Sequence, residues 1–149
     1  MKLDEALRGV TRLGLDTAPF IYLVEDHPLY VPLMDEVSRR IVEGQMEGVT
    51  SVVTLGEVLV QPIANGDVRL QQRFRDALLN RPGLQMVPVD AALAERAAGL
   101  RAHYRMRLPD ALQLAVAIDQ HCEAFLTNDR RLARVAEVRV LVLDDLELS

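Results

Sequence analysis

LPDALQLAVAIDQHCEAFLTND, residues 108–129, contains an apolar helix, a short apolar strand and a carboxylate near each end of the pair. Pro109 suits the first turn of a helix, where its missing N–H would have no partner anyway and its fixed φ is already helical. From Asp110 to His121 the segment is apolar almost all round, the pattern of a central helix covered on several sides. Ala124 to Thr127 reads as a strand, apolar up to its last residue, and Asp129 follows it closely.

Four further runs have the same character: Arg12 to Leu15, Val49 to Val53, Leu84 to Val89 and Val138 to Leu143. Several are apolar throughout rather than alternating, as expected of strands covered on both faces. Helical patterns fill the gaps. Leu33, Met34, Val37, Ile41 and Val42 recur at helical spacing after Pro32, and Gly44 and Gly48 mark the stop. Asp90 can cap a helix whose apolar residues are Leu93, Ala97, Leu100 and Tyr104. Gln61 to Asp67 (QPIANGD) reads as a break between two helical pieces. Strands alternating with helices predict a three-layer α/β/α domain, with a mostly parallel central sheet of about five strands. The length of 149 residues fits a single domain, residues 1–149.

Composition narrows the function. The formal charge of −5 argues against a broad basic surface. Local basic clusters exist nonetheless: Arg101, Arg105 and Arg107, then Arg130, Arg131 and Arg134. Their planar forks suit phosphate, and solvated helix faces account for them equally well. Cys122 is the only cysteine, which excludes a disulfide framework and a thiolate metal site, and it reads as a small buried hydrophobe. His27, His103 and His121 are too scattered for a zinc pattern. The N-terminus lacks the apolar core of a signal peptide, and no apolar run is long enough to span a bilayer, so a cytoplasmic protein without a membrane anchor is expected.

Four acids sit where strands end and helices begin: Asp16, Glu57, Asp110 and Asp129. Each has an ordinary structural reading. Thr54-Leu55-Gly56-Glu57 matches a capping box, Asp110 favours the dipole of its helix, Asp129 caps a short helix, and Asp16 makes a turn before Pro19. Jointly they read differently. Strand ends converge on one edge of a parallel sheet, so these acids are brought towards one another there. Carboxylates crowded without a cation raise each other's pKa values, whereas a Mg²⁺ or Mn²⁺ ion needs such hard oxygen donors. An ion of this kind activates water and stabilises charge on a phosphoryl group.

The segments Leu15-Asp16-Thr17-Ala18-Pro19-Phe20-Ile21-Tyr22, Thr50-Ser51-Val52-Val53-Thr54-Leu55-Gly56-Glu57-Val58-Leu59, Leu108-Pro109-Asp110-Ala111-Leu112-Gln113-Leu114-Ala115 and Phe125-Leu126-Thr127-Asn128-Asp129, in this order, resemble a PIN-domain protein. The resemblance runs from about Leu13 to Leu146 and lies nearest to the toxins of VapBC-type toxin–antitoxin pairs. It implies a metal-dependent endoribonuclease, usually a homodimer, held inactive by a cognate antitoxin. Asp16, Glu57, Asp110 and Asp129 correspond to the family's acidic set, and Thr127 to the polar residue that orients the last acid or a water. Leu132 stands where relatives often carry an aromatic.

On this reading Asp16, Asp110 and Asp129 bind one or two Mg²⁺ or Mn²⁺ ions, and Glu57 completes the shell or positions water. Water attack on RNA then leaves a 5′-phosphate and a 3′-hydroxyl. Thr17 and Thr127 are expected to donate to the carboxylates, and Arg107 is a candidate contact to the RNA backbone. The apolar residues around Tyr22 and Tyr30 are candidates for receiving the antitoxin or second subunit, with core packing as the plainer reading. The competing function is a non-catalytic PIN-like interaction domain. A receiver domain would want a Lys after the last strand, yet the only Lys is Lys2; a haloacid-dehalogenase-type phosphatase would want an Asp where Ala18 stands.

Overall fold

The computed structural model describes residues 1–149. Its strands are β1 (Arg12–Leu15), β2 (Glu47–Ser51), β3 (Leu84–Val87), β4 (Ala124–Thr127) and β5 (Arg139–Val142). They pair in parallel throughout, in the order β3-β2-β1-β4-β5. The helices are α1 (Leu3–Ala6), α2 (Thr17–Val24), α3 (Val31–Val42), α4 (Val52–Ala64), α5 (Val68–Leu79), α6 (Ala91–Tyr104) and α7 (Leu108–Asp119).

Alternate strand residues feed two cores, which makes the three layers expected from the sequence. Leu13, Leu15, Ala124, Leu126 and Leu141 join the apolar faces of α1, α2, α3 and α5. Val49, Val87 and Phe125 join those of α6 and α7 on the other side. Gly14 explains how tightly α7 lies on the sheet. A Cβ there would stand 2.8 Å from the Ala117 Cβ and 3.0 Å from the Phe125 ring. The chain winds outward from β1 to β2 and β3, then returns to place β4 and β5 on the other side. Helices therefore diverge beyond the ends of β1 and β4, and such a reversal opens a crevice at the carboxyl edge of a parallel sheet. Leu15 pairs with Leu126, so the two strands reach that edge side by side.

Several boundaries differ from the sequence reading. The second strand is Glu47–Ser51 rather than Val49 to Val53, because the Ser51 hydroxyl accepts the Val53 N–H at 3.1 Å and starts α4 there. The capping box proposed for Thr54 and Glu57 is therefore absent: both lie inside α4, beyond its cap. Leu84 to Val89 shortens to β3, ending at Val87, and Val138 to Leu143 shortens to β5, with Leu143 in a 3₁₀ turn. The break read at Gln61 to Asp67 narrows to its last three residues. Pro62 lies near the end of α4, Gly66 takes a positive φ, and Asp67 caps α5 through the Leu70 N–H. Asp16 lies where a strand ends and a helix begins, as expected, and in place of a simple turn before Pro19 it caps an eight-residue helix that takes Pro19 in its first turn. The cap at Asp90, the helix after Pro32 and the buried free Cys122 agree with expectation.

Candidate functional site

Six polar side chains are buried in the whole protein: Asp16, Thr50, Ser51, Thr54, Gln113 and Thr127. All belong to one hydrogen-bonded cluster at the carboxyl edge of β1, β2 and β4. Burial of polar groups is tolerated only where they are paired, so their concentration at one place singles out that place.

Asp16 stands at the centre, 8% exposed, at the junction of β1 and α2. Its Oδ1 accepts the Thr17 N–H at 2.8 Å, and its Oδ2 accepts the Thr127 hydroxyl at 2.8 Å. Burial pushes its pKa up to about 6; the two hydrogen bonds oppose this, while the charges of Asp110 and Glu57 add to it. Thr127, at the end of β4, also accepts the backbone N–H of Asp129 at 3.0 Å. One hydroxyl thus ties the first acid to the segment that carries the last. Glu57, on α4, accepts the Thr17 hydroxyl at 2.7 Å. Thr17 in turn accepts the Gln113 amide N–H at 3.1 Å.

Asp110 and Asp129 are held differently. Asp110 lies in the first turn of α7, with Arg107 Nε 3.5 Å from its Oδ2, a long contact for an ion pair. Asp129 caps a 3₁₀ turn (Arg130–Arg134) and receives the Arg131 guanidinium in a fork, at 3.0 Å to Oδ1 and 2.8 Å to Oδ2. That hydrogen-bonded cation holds the Asp129 carboxyl below its usual pKa. Both acids open onto a cavity of about 160 Å³ that Arg105, Arg107, Arg131 and Arg134 also line. A roomier cleft, about 440 Å³, lies against α5 and has none of the four acids in its wall.

The donor set matches the chemistry of a hard divalent cation: carboxylate oxygens with threonine hydroxyls behind them, and no sulfur or imidazole. Asp16 is raised partly by neighbouring negative charge, a repulsion that a cation would relieve. In the conformation described, however, no three of the Asp, Glu, His and Cys side chains are gathered closely enough to grip one ion. Asp129 is turned to Arg131, and Glu57 to Thr17.

Asn128 faces away from the acids. Its amide donates to the Tyr22 hydroxyl at 3.2 Å, and its oxygen accepts the Asp144 N–H at 3.1 Å. Tyr22 stacks on Tyr30 with His27 against both rings, and the two tyrosines pack on the core. Gln113 was missed in the sequence. Its signal was a lone amide on an otherwise apolar buried helix, three residues after Asp110 and therefore on the same side.

A family profile described as PIN domain matches residues 14–138. No curated protein matches the chain. Among solved structures, the chain is similar to VapBC2 from Rickettsia felis bound to a DNA fragment from its promoter, with 17% identity and a TM-score of 0.68 over 88% of this chain and 98% of that one. A toxin–antitoxin complex from Klebsiella pneumoniae is 25% identical, with a TM-score of 0.66 over 89% of this chain and 97% of that one. VapC20 from Mycobacterium tuberculosis, described as a Sarcin-Ricin loop cleaving toxin, is 18% identical, with a TM-score of 0.65 over 86% and 98%.

Proposed function

Because this chain belongs to the PIN-domain family, we propose that it is a metal-dependent endoribonuclease and the toxin of a VapBC-type toxin–antitoxin pair. The observation that carries this reading is the concentration of every buried polar side chain in one cluster around Asp16, with Glu57 joined to it through Thr17 and Asp110 and Asp129 on the cavity beside them. Such a structure spends no buried polar group on stability elsewhere, and burying one without a partner is unfavourable by about 1–3 kcal/mol.

Asp16, Asp110 and Asp129 are the proposed ligands of Mg²⁺ or Mn²⁺, with Glu57 completing the set. Such an ion lowers the pKa of water and neutralises charge developing on a phosphoryl group. Thr127 keeps Asp16 turned to the site, and Thr17 does the same for Glu57. Arg107 and Arg131, exposed at the cavity mouth, meet the RNA phosphates. Water adds to phosphorus, the P–O3′ bond breaks, and O3′ leaves with a proton, giving a 5′-phosphate and a 3′-hydroxyl. A cognate antitoxin partner is inferred from relatives solved as toxin–antitoxin complexes, and a homodimer in the cytoplasm is part of the same proposal. No helix is long and apolar enough to cross a membrane.

A second reading, a non-catalytic PIN-like interaction domain, is favoured by one observation: Arg131 already neutralises Asp129, and no three ligating groups are gathered. Cleavage of a mixed tRNA, rRNA and mRNA panel by the purified protein, with Mn²⁺ or EDTA, separates the two. On the nuclease reading, Asp16→Asn or Asp110→Asn lowers the rate of discrete, metal-dependent cuts by at least about 10²–10³-fold, the scale of losing one charge-stabilising group. Wild-type cutting by Asp110→Asn would sink the site assignment. No cutting and no Asp16-dependent Mn²⁺ binding favours the interaction domain.

A further inference from the structure

Gln113 is 2% exposed, and all the polar capacity of its side-chain amide that the cluster can use is taken. Its Oε1 accepts the Ser51 hydroxyl at 2.8 Å. Its Nε2 donates to Thr54 Oγ1 at 2.6 Å and to Thr17 Oγ1 at 3.1 Å. One side chain on α7 thereby joins the end of β2, the first turns of α4 and the start of α2.

Proton counting fixes the direction of each bond, because every hydroxyl has one hydrogen to give. Thr50 gives its hydrogen to the Leu15 carbonyl at 2.9 Å. The 2.8 Å contact between Thr50 and Thr54 must then use the hydrogen of Thr54. Thr54 can receive a further bond only from a donor, and the Gln113 NH₂ supplies it. The same NH₂ occupies Thr17 as an acceptor, so the only hydrogen of Thr17 goes to Glu57 Oε1. Reversing the amide would demand that Thr54 and Thr17 both donate to Gln113. The Thr50–Thr54 contact would then lack a proton, and Thr17 would have none left for Glu57 Oε1. Only one orientation satisfies the whole cluster.

Resting on the proposed metal site, we infer that Gln113 is a positioning residue: its buried amide compels the Thr17 hydroxyl to donate to Glu57 and so presents that carboxylate in one rotamer to a divalent cation. Gln113 does not touch the ion. It acts through Thr17, and residues in that position relative to a metal typically change affinity by about 10–100-fold when removed.

The experiment is a double-mutant cycle on the full chain, read as Mn²⁺ affinity by titration calorimetry. Gln113→Met keeps length and volume but has no N–H; Thr17→Val removes the hydroxyl. Each single variant is expected to weaken Mn²⁺ binding by about 10–100-fold. The double variant should bind no more weakly than the worse single one, since both changes cut the same path. Additive losses, or unchanged affinity in Gln113→Met, overturn the inference while leaving the metal site standing. If wild-type protein takes up no Mn²⁺, the metal reading itself fails and the inference falls with it. Should Gln113→Met not fold, Gln113→Glu asks the same question, because an acceptor there draws the Thr17 hydrogen away from Glu57. A crystal structure of that variant must show the Thr17 hydroxyl turned towards position 113 and Glu57 out of its original rotamer; an unmoved pair overturns the inference without reference to any metal.

Discussion

The inner and outer halves of the acidic edge are held in opposite ways. Within, Asp16 and Glu57 receive only neutral donors, the hydroxyls of Thr127 and Thr17 and one backbone N–H, with Gln113 behind them. At the rim, Asp110 and Asp129 face the guanidinium groups of Arg107 and Arg131. Neutral donors orient a carboxylate without cancelling its charge, whereas a forked arginine cancels it. Burial therefore raises the pKa of Asp16 in spite of its two neutral donors, whereas the Arg131 fork lowers that of Asp129. A cation therefore gains most at the inner half and must displace Arg131 at the outer one. That division accounts for a site whose acids converge yet are not gathered around a single point.

The largest effect that tests this contrast, after the loss of cleavage, is on metal-free stability. Asp16 titrates near 3.9 when unfolded and at about 6 when folded. Its contribution to stability is thus fully present below the unfolded value and is lost as pH rises through about 6. Above that pH the folded chain must hold a charge that its surroundings disfavour, a loss on the order of 3 kcal/mol. Thermal melts in EDTA should show Asp16→Asn gaining on the wild type between pH 4 and pH 7, and Mn²⁺ should restore the wild type alone. A difference between the two proteins that stays constant with pH would mean that Asp16 is not strained by its burial.

A smaller effect is expected from Gly14→Ala. The new Cβ meets the Ala117 Cβ and the Phe125 ring at 2.8 and 3.0 Å, and overpacking of this kind is destabilising by about 1–3 kcal/mol. Because α7 carries both Asp110 and Gln113, pushing it off the sheet should weaken Mn²⁺ binding as well. Denaturant melts and calorimetry on the same samples check both outcomes, and a variant that loses stability but keeps its affinity would uncouple α7 from the inner half. The smallest structural effect belongs to Arg131→Ala. Its side chain is 75% exposed, so the melting temperature should scarcely change. Removing the competing cation should instead strengthen Mn²⁺ binding several-fold; weaker binding would show that Arg131 supports the site rather than occupying it.

Much of the architecture was legible because buried strands and helices have different periods. The apolar runs placed all five strands to within two residues at most of their ends, and the parallel sheet followed from their alternation with helices. Misreadings occurred where local chemistry offered two choices. Thr50-Ser51-Val52-Val53-Thr54 has a β-forming composition on both sides of Ser51, and only the hydroxyl's bond to the Val53 N–H marks where the strand stops. Thr54 and Glu57 had the spacing of a capping box, but the real cap lay three residues earlier, so both side chains were free to join the interior cluster. The extent of α2 was not legible, because Pro19 suggests a turn as readily as a first helical turn.

The amino-acid sequence by itself determined that Asp16 and Asp129 follow strand ends and that the strands run parallel, because both follow from local order along the chain. It also determined the chemistry available, oxygen donors with neither cysteine nor clustered histidine. Only the tertiary structure decided what each acid faces. Asp16 and Thr127 lie 111 residues apart and Gln113 and Thr17 lie 96 apart, yet each pair shares a hydrogen bond. No periodicity encodes such partners. They arise where the strand order reverses and α7, admitted by Gly14, settles onto β1 and β2, and there burial makes every unpaired polar atom costly enough to select one arrangement of protons.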